Sequence, residues 1–113
     1  TGALRNARVF VQLQEGEPDG ATVDAEGHYW CAQWGAGRLQ RYAPDGEPSG
    51  QVLLDASQPS CPAFGGAGLS TLFTTTAKQG LDAHSLAAQP NAGKVFSVAT
   101  PWRGLPEPLF LGL

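Results

Sequence analysis

Hydrophobic and polar residues alternate in short runs along most of this chain, and a period of two is typical of strands half buried in a sheet. Clusters of glycine, proline and aspartate separate the runs, and such clusters favour tight turns. The runs predict strands at 7–13, 21–24, 29–34, 38–42, 51–54, 59–64, 71–77, 94–98 and 109–111. Many short strands joined by turns indicate an all-β fold.

One segment has a helical pattern instead. It covers 82–89, begins at Asp82, a residue type that caps helix N-termini, and is followed by Pro90, which cannot continue a helix. We therefore predict one short helix among the strands, with Asp82 as its N-cap.

The strand pattern also repeats along the chain. Pro18 and Pro59 open similar segments 41 residues apart, and the aromatic residues Trp30 and Phe73 hold equivalent places 43 residues apart. A repeat of about 40–45 residues with four strands is the pattern of a β-propeller blade. At that period the 113 residues hold about two and a half four-stranded antiparallel blades.

Composition adds to this picture. Charged residues make up only 15% of the chain, against 42% for hydrophobic residues. A small domain normally covers its surface with charge, so the shortage predicts that some surface is buried against other protein. The chain contains no methionine. We therefore expect its natural start to be missing, whether by cleavage, by tag removal or because the chain is part of a longer protein.

Charge and hydropathy also narrow the classes of partner. The net charge is −3 and no basic cluster is present, so neither nucleic acid nor an anionic membrane surface is an expected partner. No apolar run approaches the roughly 20 residues of a membrane helix. No secretory leader is visible, and the expected location is the cytoplasm.

The two cysteines, Cys31 and Cys61, have no spacing typical of a zinc site. We expect two reduced, buried thiols that pack as small hydrophobes. A disulfide between adjacent blades and a reactive thiol are the alternatives.

Few residues have a pattern that points to chemistry. Pro18-Asp19-Gly20 is by itself a turn signature. The segment 24–27 is a hairpin turn rather than a calcium-binding loop, because it lacks the spacing of acidic ligands and the later glutamate. His84 lies in the helical segment beside an aspartate and a serine that would not face it, which argues against a catalytic triad.

Motifs along almost the whole chain resemble, in the same order, those of the calcium-dependent lactonases of the gluconolactonase, regucalcin and luciferin-regenerating-enzyme group, the senescence marker protein type. They lie at 18–42, 60–66, 75–78, 88–96 and 104–108. The resemblance implies a six-bladed β-propeller with one metal at its centre. Residues 1–113 would form the C-terminal portion of such a propeller.

The resemblance also implies a site. Asp19 would bind Ca²⁺ or another divalent cation in the central channel and help to activate the water that attacks a sugar lactone, while the metal polarises the carbonyl. The family's glutamate and asparagine ligands have no counterpart here, because Asn6 and Asn91 lie in other contexts. The ligand set in this chain is therefore incomplete. By their positions, at a strand end and near the start of an innermost strand, Trp34 and Cys61 are candidates for the pocket wall, with packing as the alternative for Trp34.

Three hypotheses follow for the chain itself. It is a portion of a full-length metal-dependent lactonase, or it associates with copies of itself to close a ring, or it is a non-catalytic interaction module. A small-molecule lactone is the expected partner in the first case, and a homo-oligomer in the second. Two copies would give about five blades, within the range known for propellers.

Overall fold

The computed structural model describes residues 2–112, and antiparallel strands dominate it. A 3-10 turn spans Ala67–Leu69 and one α-helix, α1, spans Ala83–Ala88. The strands are β1 (Glu17–Val23), β2 (Tyr29–Trp34), β3 (Arg38–Tyr42), β4 (Pro48–Leu53), β5 (Pro59–Gly65), β6 (Thr71–Thr76) and β7 (Phe96–Ala99). The predicted all-β fold class is confirmed.

The strands form two antiparallel sheets, each built from strands that are consecutive in the chain. The first has the order β1-β2-β3-β4 and the second the order β5-β6-β7. The first is the four-stranded meander that the repeat predicted. Within the described residues the second sheet has three strands, with β7 at its edge.

Helix α1 follows β6 and matches the predicted helical segment. Asp82 is its N-cap, since its Oδ1 accepts a hydrogen bond from the backbone amide of Ser85 at 2.8 Å. The helix ends before Gln89. The Gln89 side chain accepts hydrogen bonds from both the amide and the hydroxyl of Ser57, at 2.8 and 2.9 Å. These bonds hold the helix against the linker between the two sheets.

The core lies between the two sheets. Trp30 and Ala32 on β2 are fully buried and pack with Leu39 on β3 and Leu72 on β6. The Trp30 ring meets the edge of the Trp102 ring at 5.1 Å between centroids. Aromatic pairs in this arrangement gain attraction beyond their buried area. Because both sheets contribute to one core, each blade stabilises the other.

A buried ion pair fixes the turn between β1 and β2. Asp24 is 1% exposed, and its Oδ2 accepts hydrogen bonds from Trp30 Nε1 at 3.0 Å and Arg41 Nε at 2.8 Å. Its Oδ1 accepts from the amides of Glu26 and His28. Burial by itself raises the pKa of Asp24, but these hydrogen bonds lower it below its usual 3.8.

The same ion pair holds the C-terminal segment against the first sheet. The Arg41 guanidinium lies over the Trp102 ring at 4.9 Å from its centroid. Asp24 forms a β-bridge with Gly104, and the Ala25 amide donates to the Arg103 carbonyl at 2.8 Å. The chain after β7, in the second sheet, therefore returns to pack against the first sheet.

The opposite face of the first sheet presents Tyr29, Cys31 and Tyr42. The segment before β1 lies across this face, and the Phe10 ring contacts the Tyr29 ring edge-on at 5.7 Å. A cavity of about 600 Å³ remains between them, lined mostly by apolar side chains. The predicted strand at 7–13 is wrong, because this segment packs through side chains and pairs with no strand in the part of the chain described.

Three other expectations about elements need correction. The segment 109–111 is not a strand, and its side chains are largely exposed instead of packed on a sheet. Strands β4 and β7 are displaced from the predicted 51–54 and 94–98 by a few residues at their ends. Strand β1 begins before Pro18, so Pro18-Asp19-Gly20 lies within a strand and not in a turn.

Candidate metal and substrate site

A β-bulge in β1 shapes the backbone around Asp19. The pairing of β1 with β2 shifts between Pro18 and Ala21, so that Asp19 and Gly20 together lie opposite Ala32. A bulge inserts one extra residue into a strand and can direct a side chain out of the regular alternation. The Pro-Asp-Gly tripeptide therefore serves as an irregularity inside a strand that presents the Asp19 carboxylate.

Gly20 brings the first strands of the two blades into contact. A Cβ atom at this position would lie 2.6 Å from the Ser60 carbonyl oxygen and 2.7 Å from the Cys61 Sγ. Those distances are shorter than van der Waals contact, so only glycine fits without displacing β5. Asp19 is thus held directly beside the boundary between the blades.

Asp19 lines a pocket at this boundary. The lining residues come from β1, from the end of β2 and from the loop after β6, and the volume is about 380 Å³. We call it the Asp19 pocket, and define it by Glu17, Pro18, Asp19, Trp34 and Gln79. The Asp19 carboxylate is exposed to this space, whereas the Asp24 carboxylate is buried and fully engaged.

Trp34, predicted as a pocket wall, is half-buried and lines the Asp19 pocket. The turn after it is anchored, because the amides of Gly35 and Gly37 both donate to the Ser57 carbonyl, at 2.8 and 3.1 Å. The indole therefore leaves β2 at a point fixed to the linker between the blades.

Cys61, the other predicted wall residue, lies elsewhere. Its side chain is exposed on β5 against Gly20, outside the residues that line the Asp19 pocket. The expectation that both cysteines are buried is wrong for Cys61, because the β1 residue beside its side chain is Gly20, which has no side chain to cover the thiol. Both cysteines are free thiols. Cys31 is buried, and burial raises the pKa of its thiol.

The described residues contain no complete metal site. Across residues 2–112 there is no group of three or more histidine, cysteine, aspartate or glutamate side chains that could hold a metal ion. Ca²⁺ takes about six to eight oxygen ligands. The carboxylates of Asp19 and Glu17, in the same pocket, are suitable oxygen ligands for such a cation. They would supply only a few of the oxygens that it needs.

Two features of the site had no signal at the level of sequence. The bulge depends on how β1 pairs with β2, and a Pro-Asp-Gly tripeptide also forms an ordinary turn, as it does at Pro44-Asp45-Gly46. Gln79 reaches the pocket only because the second blade packs beside the first. The positions of Pro18 and Pro59 in the repeat could have indicated the neighbouring strands but not the side chains between them.

Comparison with known proteins places the chain in a family. The family model for the SMP-30/Gluconolactonase/LRE-like region matches residues 1–78. The chain belongs to the SMP-30/gluconolactonase/LRE-like family. That result confirms the resemblance seen in the sequence motifs.

Members of the SMP-30/gluconolactonase/LRE-like family with curated activities align with nearly the whole chain. An L-arabinolactonase of Azospirillum brasilense is 42% identical over 113 residues, which are 98% of this chain and 37% of that protein. A 6-deoxy-6-sulfogluconolactonase of Pseudomonas putida is 39% identical over 111 residues, 98% of this chain and 38% of that protein. The chain thus spans less than two fifths of the length of these relatives.

The structure agrees with a solved member of the family. The crystal structure of a calcium-binding protein, regucalcin, from Agrobacterium tumefaciens str. C58 superposes with a TM-score of 0.87 at 37% identity. The match covers 93% of this chain and 36% of that one. The two sheets are accordingly blades of a β-propeller, as predicted. Among residues 2–112, no helix has the length and apolarity needed to cross a membrane.

Proposed function

We propose that residues 1–113 are the C-terminal portion of a β-propeller lactonase that hydrolyses a sugar lactone. The reaction depends on a divalent cation, for which Ca²⁺ is the first candidate. In this proposal Asp19 is one ligand of the cation and also helps to activate water. The observation that carries the proposal is the position of Asp19: it lies at a bulge, exposed in a pocket at the boundary between two blades.

The other aspartates near the first blade are less suited to this role. Asp24 is buried and accepts hydrogen bonds from Trp30, Arg41 and two backbone amides. Asp45 lies in the turn between β3 and β4, where its Oδ1 accepts a hydrogen bond from the Glu47 amide at 3.0 Å. Asp55, after β4, lines another pocket, but its carboxylate accepts a hydrogen bond from Asn91 Nδ2 at 3.0 Å. Of Asp19, Asp24 and Asp45, only Asp19 lines a pocket large enough for a small molecule.

The chemistry suits an exposed carboxylate. Hydrolysis of a lactone requires water to attack the ring carbonyl and to lose a proton as the new C–O bond forms. The Asp19 carboxylate can accept that proton. The ring C–O bond then breaks, and the alkoxide that leaves takes up a proton to give the open hydroxy acid. The substrate class is taken from the L-arabinolactonase and the 6-deoxy-6-sulfogluconolactonase to which the chain is similar.

The cation requires ligands from outside this chain's described residues. Regucalcin of Agrobacterium tumefaciens is a calcium-binding protein, and the likeness to it supports the same class of ion here. Asp19 supplies one carboxylate, and residues 2–112 offer no complete set. The proposal therefore assigns the remaining oxygen ligands to protein beyond residues 2–112.

The chain contains its own control for a test of Asp19. Pro18-Asp19-Gly20 and Pro44-Asp45-Gly46 are the same tripeptide, one in the Asp19 pocket and one in a turn. In the complete lactonase that contains these residues, purified with Ca²⁺, Asp19→Asn is expected to lower kcat/KM for D-glucono-1,5-lactone by about 100-fold or more, because loss of a general base costs that much. Asp45→Asn should leave it unchanged. Equal activity of the two variants would contradict the assignment.

A second candidate function is a non-catalytic module that associates with copies of itself. Large hydrophobic side chains that remain exposed favour it, among them Leu53, Leu109, Phe110 and Leu111. Light scattering on the purified chain tests this candidate. A mass of two or more times 11.8 kDa without lactonase activity would support it, and a monomer would exclude self-association.

A further inference from the structure

The second blade contributes a polar side chain to the Asp19 pocket. Gln79 follows β6 and lines the pocket together with Asp19 and Trp34, which belong to the first blade. The Gln79 side chain is exposed. Its amide can both donate and accept hydrogen bonds, whereas the Glu17 carboxylate in the same pocket can only accept them when ionised.

The backbone at Gln79 is held in place by a buried side chain. Gln58, which is 8% exposed, donates from Nε2 to the carbonyl oxygens of Ala77 at 3.1 Å and Gln79 at 3.0 Å. The Ala77 amide donates to the Gln58 carbonyl at 3.0 Å. Gln58 lies in the linker between the blades, next to the residue that anchors the turn after Trp34. One short linker thus positions both sides of the pocket.

The residue before Gln79 is directed elsewhere. Lys78 packs along Gly93, since a Cβ at Gly93 would lie 3.1 Å from the Lys78 Cε. Lys78 is not among the residues that line the Asp19 pocket. Of these two adjacent long side chains, only Gln79 therefore faces the space beside Asp19.

We propose that Gln79 is a specificity-determining residue that hydrogen-bonds a hydroxyl group of a polyhydroxylated lactone. The inference rests on the proposed function and adds to it the contact that recognises the sugar. Each hydroxyl of such a ring is both a donor and an acceptor, which matches an amide better than a carboxylate. Trp34 offers an apolar surface to the carbon skeleton on the neighbouring side.

The test compares two glutamine variants in the purified protein with Ca²⁺. Gln79→Ala is expected to raise KM for D-glucono-1,5-lactone about three- to tenfold with kcat nearly unchanged, since it removes one neutral hydrogen bond. The matched control is Gln51→Ala, an exposed glutamine on β4 remote from the pocket, which should leave both constants unchanged. For δ-valerolactone, which has no ring hydroxyl, Gln79→Ala should keep the wild-type kcat/KM.

The outcomes separate this inference from the function on which it rests. An unchanged KM in Gln79→Ala, or an equal loss on both lactones, would overturn the role of Gln79 if Asp19→Asn has lost its activity. Full activity in Asp19→Asn would overturn the proposed function, and the role of Gln79 with it. Gln79 is exposed, and an unchanged melting temperature of Gln79→Ala will show that the variant is folded.

Discussion

Asp19 and Asp24 lie in consecutive parts of one blade, yet their carboxylates have opposite environments. Asp19 is exposed at a bulge, and Asp24 is buried with four hydrogen bonds to its two oxygens. A buried carboxylate is stable only when it is paired and hydrogen-bonded. Asp24 therefore has a structural role, and its replacement should change the free energy of unfolding rather than act directly on catalysis.

Replacement of Asp24 should destabilise the protein in a pH-dependent way. Because the buried Arg41 would keep only the exposed Glu26 carboxylate as a charged partner, Asp24→Asn is expected to lower the free energy of unfolding by about 3 kcal/mol at pH 7. The pKa of Asp24 is lower in the folded state than its usual 3.8, so its stabilising contribution is present above that pH. The contribution is lost as the pH falls through the lowered folded-state value.

Urea denaturation at a series of pH values measures this effect. Wild type and Asp24→Asn should differ most near neutrality and converge as the pH falls from 3.8 through the lowered folded-state pKa, where the Asp24 carboxylate takes up a proton. Asp45→Asn, which changes an exposed aspartate in a turn, is the control and should follow wild type throughout. A constant difference between wild type and Asp24→Asn across the whole range would contradict the assigned ion pair.

At the scale of elements, the contact between β1 and β5 decides where the Asp19 pocket lies. Gly20 in β1 touches the Ser60 carbonyl and Cys61 in β5 so closely that no side chain fits between them. Both strands also carry a register shift near their first residues. The two blades thus approach most closely beside the carboxylate that we assign to function.

Gly20→Ala should disturb this contact. The added methyl group would lie 2.6 Å from a backbone oxygen, and relief requires movement of a strand, with an expected cost of about 1–3 kcal/mol in the free energy of unfolding. Activity on D-glucono-1,5-lactone should fall as well, because Asp19 is the adjacent residue. Melting temperature and kcat/KM measure the two effects.

Gly65→Ala provides the matched control in β5. Its added methyl group would lie 3.0 Å from an atom of the Phe73 ring, a side chain that is partly exposed and able to move. We expect a smaller change in melting temperature and no change in kcat/KM. If Gly65→Ala were the more damaging of the two, the contact at Gly20 would not hold the blades as described.

Element by element, the sequence predicted most of the sheets because alternation and turn residues are local signals. The strands β2 and β3 and the Asp82 cap were predicted at their observed positions. The strand predicted at 7–13 failed because its apolar residues pack against the aromatic face of the first sheet. Local pattern cannot distinguish a strand that finds a partner from a segment that packs only through its side chains.

For the site, family resemblance indicated Asp19, and the place of Trp34 at the end of a strand indicated a pocket wall. The structure brings both to one pocket. The bulge and Gln79 were not predicted, since each depends on contacts between strands or blades that are distant in the chain. The buried role of Asp24 was missed for the same reason. A turn motif at 24–27 does not reveal that Arg41 and Trp30 converge on its first residue.

At the scale of the whole molecule, residues 2–112 form two propeller blades and contain no group of three or more histidine, cysteine, aspartate or glutamate side chains that could hold a metal ion. The face that bears Tyr29 and Tyr42 is covered only in part by the preceding segment, and a cavity of about 600 Å³ remains there. Propeller blades bury such faces against their neighbours. The chain spans 37% of the L-arabinolactonase to which it is similar, which agrees with a site completed by further protein.

The central claim is that Asp19 binds a divalent cation, and calorimetric titration with Ca²⁺ tests it most directly. Wild type, Asp19→Asn and Asp45→Asn would be compared in the complete lactonase that contains these residues, after removal of bound metal. Loss of a residue that hydrogen-bonds a metal ligand weakens metal affinity about tenfold or more. Since Asp19 is assigned as a ligand itself, we expect Asp19→Asn to raise the Kd for Ca²⁺ by at least about that factor. Asp45→Asn should bind as wild type does. An unchanged Kd in Asp19→Asn would contradict the account.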